Sequence, residues 1–158
     1  MSNNPYGKYV DGEDLIESLD ATSQRIATIA RGWRKDVYDR SYAEGKWTGR
    51  QLMLHLAQCE MVFSNRLRFG LAQEDYVVQP FDQDPWMAIE DEADGVAALE
   101  AYVALRRLNL DLCRRLTPAQ RTRTFQHPER GAIDVNWVIT MFAGHERHHL
   151  PQIEAIAK

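Results

Sequence analysis

The sequence has few cysteines and no long apolar run, and each absence excludes a class of protein. Only Cys59 and Cys113 occur among 158 residues, too few for a fold held by disulfides, which favours a reducing compartment such as the cytoplasm. Nowhere do about 18 uncharged apolar residues run together, so no membrane-spanning helix is predicted. Residues 1–14 are polar and lack the apolar core of a signal peptide.

The sequence also lacks an excess of basic residues. It carries 19 lysines and arginines against 23 aspartates and glutamates, a formal net charge of −4. Because a basic face is what attracts phosphate backbones and anionic lipids, neither nucleic acid nor a membrane is predicted as a partner. The length and the 44% of hydrophobic residues predict one globular domain over residues 1–158.

Periodic apolar residues divide the chain into amphipathic helices. In four segments they recur every three or four residues, which is typical of a helix with one buried face. Residues 71–91 form a long connection with two prolines, and residues 121–134 are predicted as an irregular segment or a short hairpin. The pattern predicts an all-α four-helix bundle with one long crossover. The predicted helices are 12–37, 48–70, 94–116 and 134–157.

Three of the five histidines lie within five residues, at positions 145, 148 and 149. At 100° per residue, His145 and His149 lie about 40° apart, in the middle of the apolar face of the last predicted helix. His148 lies at the edge of that face, about 60° from His145. His55 lies on the shoulder of the apolar stripe of the second predicted helix, about 60° from Leu52. The spacing therefore aims three imidazoles at the core.

Three inward histidines favour a metal site over ordinary buried histidines. A lone buried histidine is more often bonded to a carbonyl or a hydroxyl, because burial costs free energy unless both ring nitrogens are satisfied. A His-x-x-x-His pair with a third histidine from another helix instead favours a metal site. The predicted ligands are His55, His145 and His149, and the predicted cofactor is one divalent ion, zinc or nickel. Three protein ligands leave a position open, which favours catalysis.

Two other kinds of metal site use some of the same residues. Residues 145–149 match the HExxH pattern of zinc proteases, with Glu146 as general base. Such proteases usually take their third ligand from further along the chain, and only nine residues follow His149 here. Glu146 also points about 60–100° away from the two histidines. The protease interpretation is therefore weaker, although contact of Glu146 with a metal-bound water stays open. A ferritin-like di-iron site needs two Glu-x-x-His motifs, and the sequence has one candidate, Glu146 with His149.

Other polar residues have simpler interpretations. Cys59, one turn after His55, is either a fourth ligand or, more commonly, a small buried hydrophobic residue. His127 lies in a polar turn and is predicted to face solvent. Gln152 is a candidate for orienting a ligand. The arginines of the third predicted helix are interpreted mainly as a solvated strip. An arginine that lies near the metal could instead bind a carboxylate with both ends of its guanidinium. The residues of this strip are Arg106, Arg107, Arg114 and Arg115.

Two motifs carry a resemblance to a known family. Lys-Trp-Thr at 46–48 precedes Leu-His-Leu-Ala at 54–57, and residues 143–153 read Ala-Gly-His-Glu-Arg-His-His-Leu-Pro-Gln-Ile. Over nearly the whole chain the sequence resembles the DinB-like family of DNA-damage-inducible and YfiT-type metalloproteins. It departs from the family at Pro151, which removes an amide donor and predicts a kink after His149.

The resemblance implies properties beyond those of the residues alone. It implies an up-down-down-up bundle, a homodimer, and one divalent metal at His55, His145 and His149. It also implies a metal-dependent hydrolase, or an S-transferase that uses a low-molecular-weight thiol such as bacillithiol, mycothiol or glutathione; thiol chemistry is slightly favoured. In either enzyme the metal lowers the pKa of a bound thiol or water. The alternative is a non-catalytic, dimeric bundle that binds a metal or a small ligand in a stress response.

Overall fold

A computed structural model describes residues 4–158, so residues 1–3 of the polar first segment lie outside the described part. Four long helices form a bundle, as the apolar periodicity predicts. The long helices are α1 (Leu15–Arg31), α3 (Gly49–Ala72), α5 (Gly95–Arg115) and α7 (Val135–Ile156). The connections contain α2 (Lys35–Tyr38), α4 (Gln83–Ile89), α6 (Pro118–Arg121), and strands β1 (Thr124–His127) and β2 (Gly131–Asp134).

An aspartate or threonine begins each long helix. Asp14, Thr48, Asp94 and Asp134 each accept hydrogen bonds from backbone amides of the first turn, which would otherwise lack partners. At Thr48 the side chain of Gln51 bonds back to the cap and completes a capping box. The predicted starts at residues 48 and 134 are therefore confirmed.

The first predicted helix is too long. α1 ends at Arg31, and the separate helix α2 follows after an extended residue at 34. Trp33 continues the apolar spacing of α1, but it packs from the loop, with its ring edge to face with Tyr38 at 5.2 Å between centroids. Apolar spacing shows that a side chain is buried and does not show that its backbone is helical.

One other segment differs from the expectation. The long connection contains the helix α4, which Asp82 caps and which buries Met87 against the bundle. α7 runs through Pro151 to Ile156, in agreement with the predicted helix 134–157, and the kink after His149 stays a prediction. The predicted hairpin is present, with β1 antiparallel to β2.

Every helix within residues 4–158 is too short or too polar to cross a bilayer.

The core consists of two apolar clusters with a polar layer between them. α1 and α3 each pack against both α5 and α7. One cluster includes Leu19 and Phe63, and the other includes Ile26 and Leu52. On α1 and α3 the intervening turns carry buried polar residues, and α5 and α7 follow the same pattern. The buried polar residues of this layer include Thr22, Ser23, His55, Glu60, Arg106, Asn109, His145, Glu146 and His149.

Candidate metal centre

Three histidine rings meet in the polar layer between α3 and α7. Nε2 of His145 lies 3.1 Å from Nε2 of His55 and 3.0 Å from Nε2 of His149. His145 and His149 are one turn apart on α7, where residues four apart share a face, and His55 comes from α3. All three side chains are buried. The structure thus brings together the three residues that the sequence predicts as ligands.

Burial keeps these rings neutral. Loss of hydration lowers the pKa of His55 to about 3 and the pKa of His149 to about 4. The same cause, with the neighbouring imidazoles, holds the pKa of His145 well below its usual range. A neutral imidazole has one nitrogen with a free lone pair, which is the form that binds metal ions. The centre therefore consists of three potential nitrogen ligands.

Gln152 determines which nitrogen of His149 carries the proton. Its Oε1 lies 2.7 Å from Nδ1 of His149, and because an amide oxygen only accepts, Nδ1 donates. Nε2 of His149 then presents its lone pair toward His145. At most one of the two Nε2–Nε2 contacts can therefore be a hydrogen bond, and the remaining lone pair lacks a donor.

Two of the three nitrogen–nitrogen separations agree with a bound divalent cation. Tetrahedral zinc with Zn–N distances of about 2.0–2.1 Å places neighbouring nitrogens roughly 3.3 Å apart. The two measured separations, 3.0 and 3.1 Å, are close to that value. Nitrogen ligands of this kind suit zinc and nickel alike, so the donor set does not identify the metal.

Cys59 offers a second arrangement of ligands. Its Sγ lies 3.6 Å from Nε2 of His55, and ligand atoms of His55, Cys59 and His145 all lie within 4.8 Å of one another. Burial raises the pKa of the Cys59 thiol well above its usual range, and a thiol must lose its proton to bind a metal. The three histidines need no such step. Cys59 is both buried and beside the centre, so both interpretations of this residue remain.

A pocket of about 150 Å³ opens beside the histidines. His55, His145 and Cys59 form part of its wall, and apolar side chains form most of the rest. A larger groove of about 310 Å³ between α1 and α5 includes none of the three histidines, so the smaller pocket is the candidate for substrate. The other residues of the pocket are Tyr6, Val62, Arg66, Phe81, Gln83, Met141 and Phe142.

Glu146 does not line this pocket, although the sequence makes it a candidate for contact with a metal-bound water. Its Oε1 accepts hydrogen bonds from the hydroxyl of Tyr102 at 2.5 Å and from Nη2 of Arg106 at 2.6 Å. Burial raises the pKa of Glu146 to about 7 against the opposing effect of Arg106. The carboxylate is thus a member of a buried ionic cluster, which also weakens the protease interpretation.

The prediction that Arg106 is solvated is wrong. Arg106 is buried and its Nη2 contacts carboxylates on two helices, Glu60 and Glu146. Asn109 also donates to Glu60, at 2.9 Å. Arg106 lies one turn from the buried Tyr102, and this spacing was a signal in the sequence that it faces inward. The other arginines of the predicted strip, Arg107, Arg114 and Arg115, are exposed.

The two remaining histidines lie outside the cluster of Nε2 atoms. Nδ1 of His148 is 3.1 Å from the hydroxyl of Tyr9, at the edge of the helix face. His127 is buried, contrary to the prediction that it faces solvent, because its position in β1 turns it inward. Its Nδ1 accepts a hydrogen bond of 3.2 Å from the backbone amide of Glu129.

Comparisons with known proteins agree with the family that the two sequence motifs indicate. A sequence model of the DinB superfamily matches residues 18–153. A protein of Oceanobacillus iheyensis is 36% identical over 163 residues, covering 98% of this chain and 95% of the relative. YfiT of Bacillus subtilis is 26% identical, covering 98% of this chain and 93% of the relative. Both relatives carry the name "Putative metal-dependent hydrolase".

A solved structure agrees in fold as well. It is described as "YfiT from Bacillus subtilis is a probable metal-dependent hydrolase with an unusual four-helix bundle topology". It matches with a TM-score of 0.79 at 25% identity and covers 99% of this chain and 87% of that one. The family model covers most of the chain, and the relatives and the fold agree with it. The chain belongs to the DinB superfamily.

Proposed function

We propose that the chain is a metal-dependent hydrolase whose single divalent ion is bound by Nε2 of His55, His145 and His149. One observation carries the proposal: Nε2 of His145 lies 3.1 and 3.0 Å from the other two Nε2 atoms, beside a pocket with mostly apolar walls. The names of the relatives favour hydrolysis over other metal-dependent reactions.

The chain's own residues prepare the site for this chemistry. A divalent ion with an open position supplies Lewis acidity and lowers the pKa of the water that it binds. α3 holds the ring of His55 on one side of the site, and α7 holds the rings of His145 and His149 on the other. Gln152 keeps the lone pair of His149 turned toward the site. Val62 and Phe142 give the pocket beside His55 and His145 apolar walls.

Thiol S-transfer and dimerisation stay as separate predictions. An S-transferase would use the same three ligands and would bind a low-molecular-weight thiol in place of water. The relatives' names refer to hydrolases, so hydrolysis is proposed first. Light scattering of the purified chain tests the homodimer, for which a mass of twice 18.2 kDa is expected.

Metal content tests the ligand set directly. Elemental analysis of the purified chain is expected to give one divalent ion per chain, and His149→Ala is expected to lose it while circular dichroism shows an intact bundle. His148→Ala is the matched control, because His148 is next to His149 on α7 but contacts Tyr9. Full occupancy in His149→Ala would exclude the three-histidine site. Loss of the ion in Cys59→Ala would favour the arrangement that includes the thiol.

Turnover tests the reaction. The metal-loaded chain is assayed with esters and amides, and separately with thiols and electrophiles. We expect hydrolysis that falls at least about a hundredfold in His149→Ala and persists in His148→Ala. Turnover with a thiol and an electrophile alone would assign the S-transferase instead. Stoichiometric metal without turnover in either assay would favour the non-catalytic bundle.

A further inference from the structure

Arg66 is a buried cation in the wall of the pocket beside the histidines, and it has no partner among residues 4–158. It lies on α3, is 5% exposed, and lines the same pocket as His55 and His145. It forms no hydrogen bond or ion pair with any residue of the described chain, and its Nε is a buried donor without an acceptor. Arg106, which is equally buried, has the carboxylates of Glu60 and Glu146.

An unpaired arginine in this position is costly unless something binds to it. A guanidinium cannot shed its charge as a lysine can, and burying a charge without a partner is strongly unfavourable. Burial lowers the pKa of Arg66 against the smaller opposing effects of Tyr76 and Cys59. Glu129 and Arg130 in the hairpin turn act on Arg66 with opposite signs, so the turn does not neutralise it.

The pocket connects Arg66 to the metal centre along one face of α3. Residues 55, 59, 62 and 66 are three or four apart, so they share that face, and the ends of the row are roughly 16 Å apart along the axis. The charge of Arg66 acts on the thiol of Cys59, whose Sγ lies 3.6 Å from Nε2 of His55. The pocket of about 150 Å³ is the size of an engineered cavity that holds benzene.

We propose that Arg66 binds the carboxylate of a small substrate whose apolar body fills this pocket and whose reacting bond faces His55 and His145. The proposal rests on the proposed hydrolase and names its substrate class. A carboxylate is favoured because its single charge matches the one unpaired cation among the described lining residues, and its two oxygens match the planar fork of an arginine. The apolar walls at Val62, Phe81 and Met141 suit a hydrocarbon body.

Benzoate and benzyl alcohol are the probes, since both have a benzene-sized body and only one carries a carboxylate. Binding to the full chain, loaded with zinc, is measured by calorimetry. Benzoate is expected to bind at least about tenfold more tightly than benzyl alcohol, and Arg66→Met is expected to remove that difference. Arg107→Met is the matched control, because Arg107 is an exposed arginine on α5, away from the pocket. Arg66→Gln gives the same comparison where Arg66→Met does not fold.

The same measurements separate this proposal from the metal site. Arg66→Met is expected to keep the zinc content of the wild-type chain, and Arg66-dependent binding of benzoate is expected to persist in His149→Ala. Benzoate binding that is lost in His149→Ala but unchanged in Arg66→Met would place the carboxylate on the metal and overturn the role of Arg66. No preference for benzoate in the wild-type chain would also overturn it. A chain without metal that still binds benzoate through Arg66 would overturn only the hydrolase.

Discussion

Nδ1 of His149 donates a hydrogen bond to Oε1 of Gln152 across 2.7 Å, one turn further along α7. The contact fixes both the ring orientation of His149 and the position of its single proton. Residues that hold a metal-binding histidine in this way are part of what sets metal affinity, although they never touch the ion. Gln152 is thus a positioning residue for the candidate centre.

Gln152→Leu is expected to weaken metal binding by about 10–100-fold, because Nδ1 of His149 loses its acceptor and the ring can rotate. Competition with a chelator of known affinity measures the change. Gln152→Glu is the control, since its carboxylate accepts the same hydrogen bond. Equal affinities of the leucine variant and the wild-type chain would show that packing alone orients His149.

Arg106→Leu is expected to destabilise the chain by about 3–5 kcal/mol. The substitution leaves the buried carboxylates of Glu60 and Glu146 without their shared cation. Urea unfolding measures the free energy, and Arg107→Leu, an exposed neighbour on the same helix, is expected to change it by less than about 0.5 kcal/mol. A loss below about 1 kcal/mol in Arg106→Leu would mean that the two carboxylates are neutral in the folded chain.

Gly144→Ala is expected to displace the short 3-10 turn Gly7–Tyr9, which packs on α7, from that helix. A Cβ at Gly144 would overlap the backbone carbonyl of Tyr6, and backbone cannot move aside as a flexible side chain does. Overpacking of this kind costs about 1–3 kcal/mol. Urea unfolding and faster hydrogen exchange at residues 6–9 would report it. Gly7→Ala serves as the control because its Cβ would meet Asn4 at an ordinary 3.5 Å, and equal effects of the two substitutions would refute the close approach.

The burial of His127 predicts that the folded chain loses stability on mild acidification. Burial and the nearby Arg66 lower its pKa from 6.5 in the folded chain, and Nδ1 accepts the amide of Glu129 only while it carries no proton. The unfolded chain therefore binds more protons, so the stability that neutral His127 contributes is present above pH 6.5 and is lost as the pH falls below it.

Urea unfolding at pH 7.5 and 5.5 tests the role of His127. The wild-type chain is expected to lose more stability between these values than His127→Gln, whose side chain does not titrate. The other buried histidines contribute equally to both proteins and cancel in the comparison. Parallel losses in the two proteins would show that His127 is protonated as easily in the folded chain as in the unfolded one.

The four long helices and their buried faces were predictable because they depend on near neighbours along the chain. Capping by Thr48 and Asp134, and apolar residues every three or four positions, act within one or two turns of helix. The same periodicity puts His145 and His149 on one inward face. It does not give the end of α1, because Trp33 packs against the core from the loop after the helix.

The tertiary structure decided which inward residues meet. An angle around a helix axis says that His55, Glu146 and Arg106 face the core, but not which side chain lies opposite across the bundle. The packing of α3 and α5 with α7 places Glu146 in contact with Arg106, and it places His55 beside the two histidines of α7. It also encloses Arg66 in the pocket beside that centre, where no carboxylate of the described residues forms an ion pair with it. Local periodicity carries no information on such contacts, because they form between residues that are 40 to 90 positions apart in the chain.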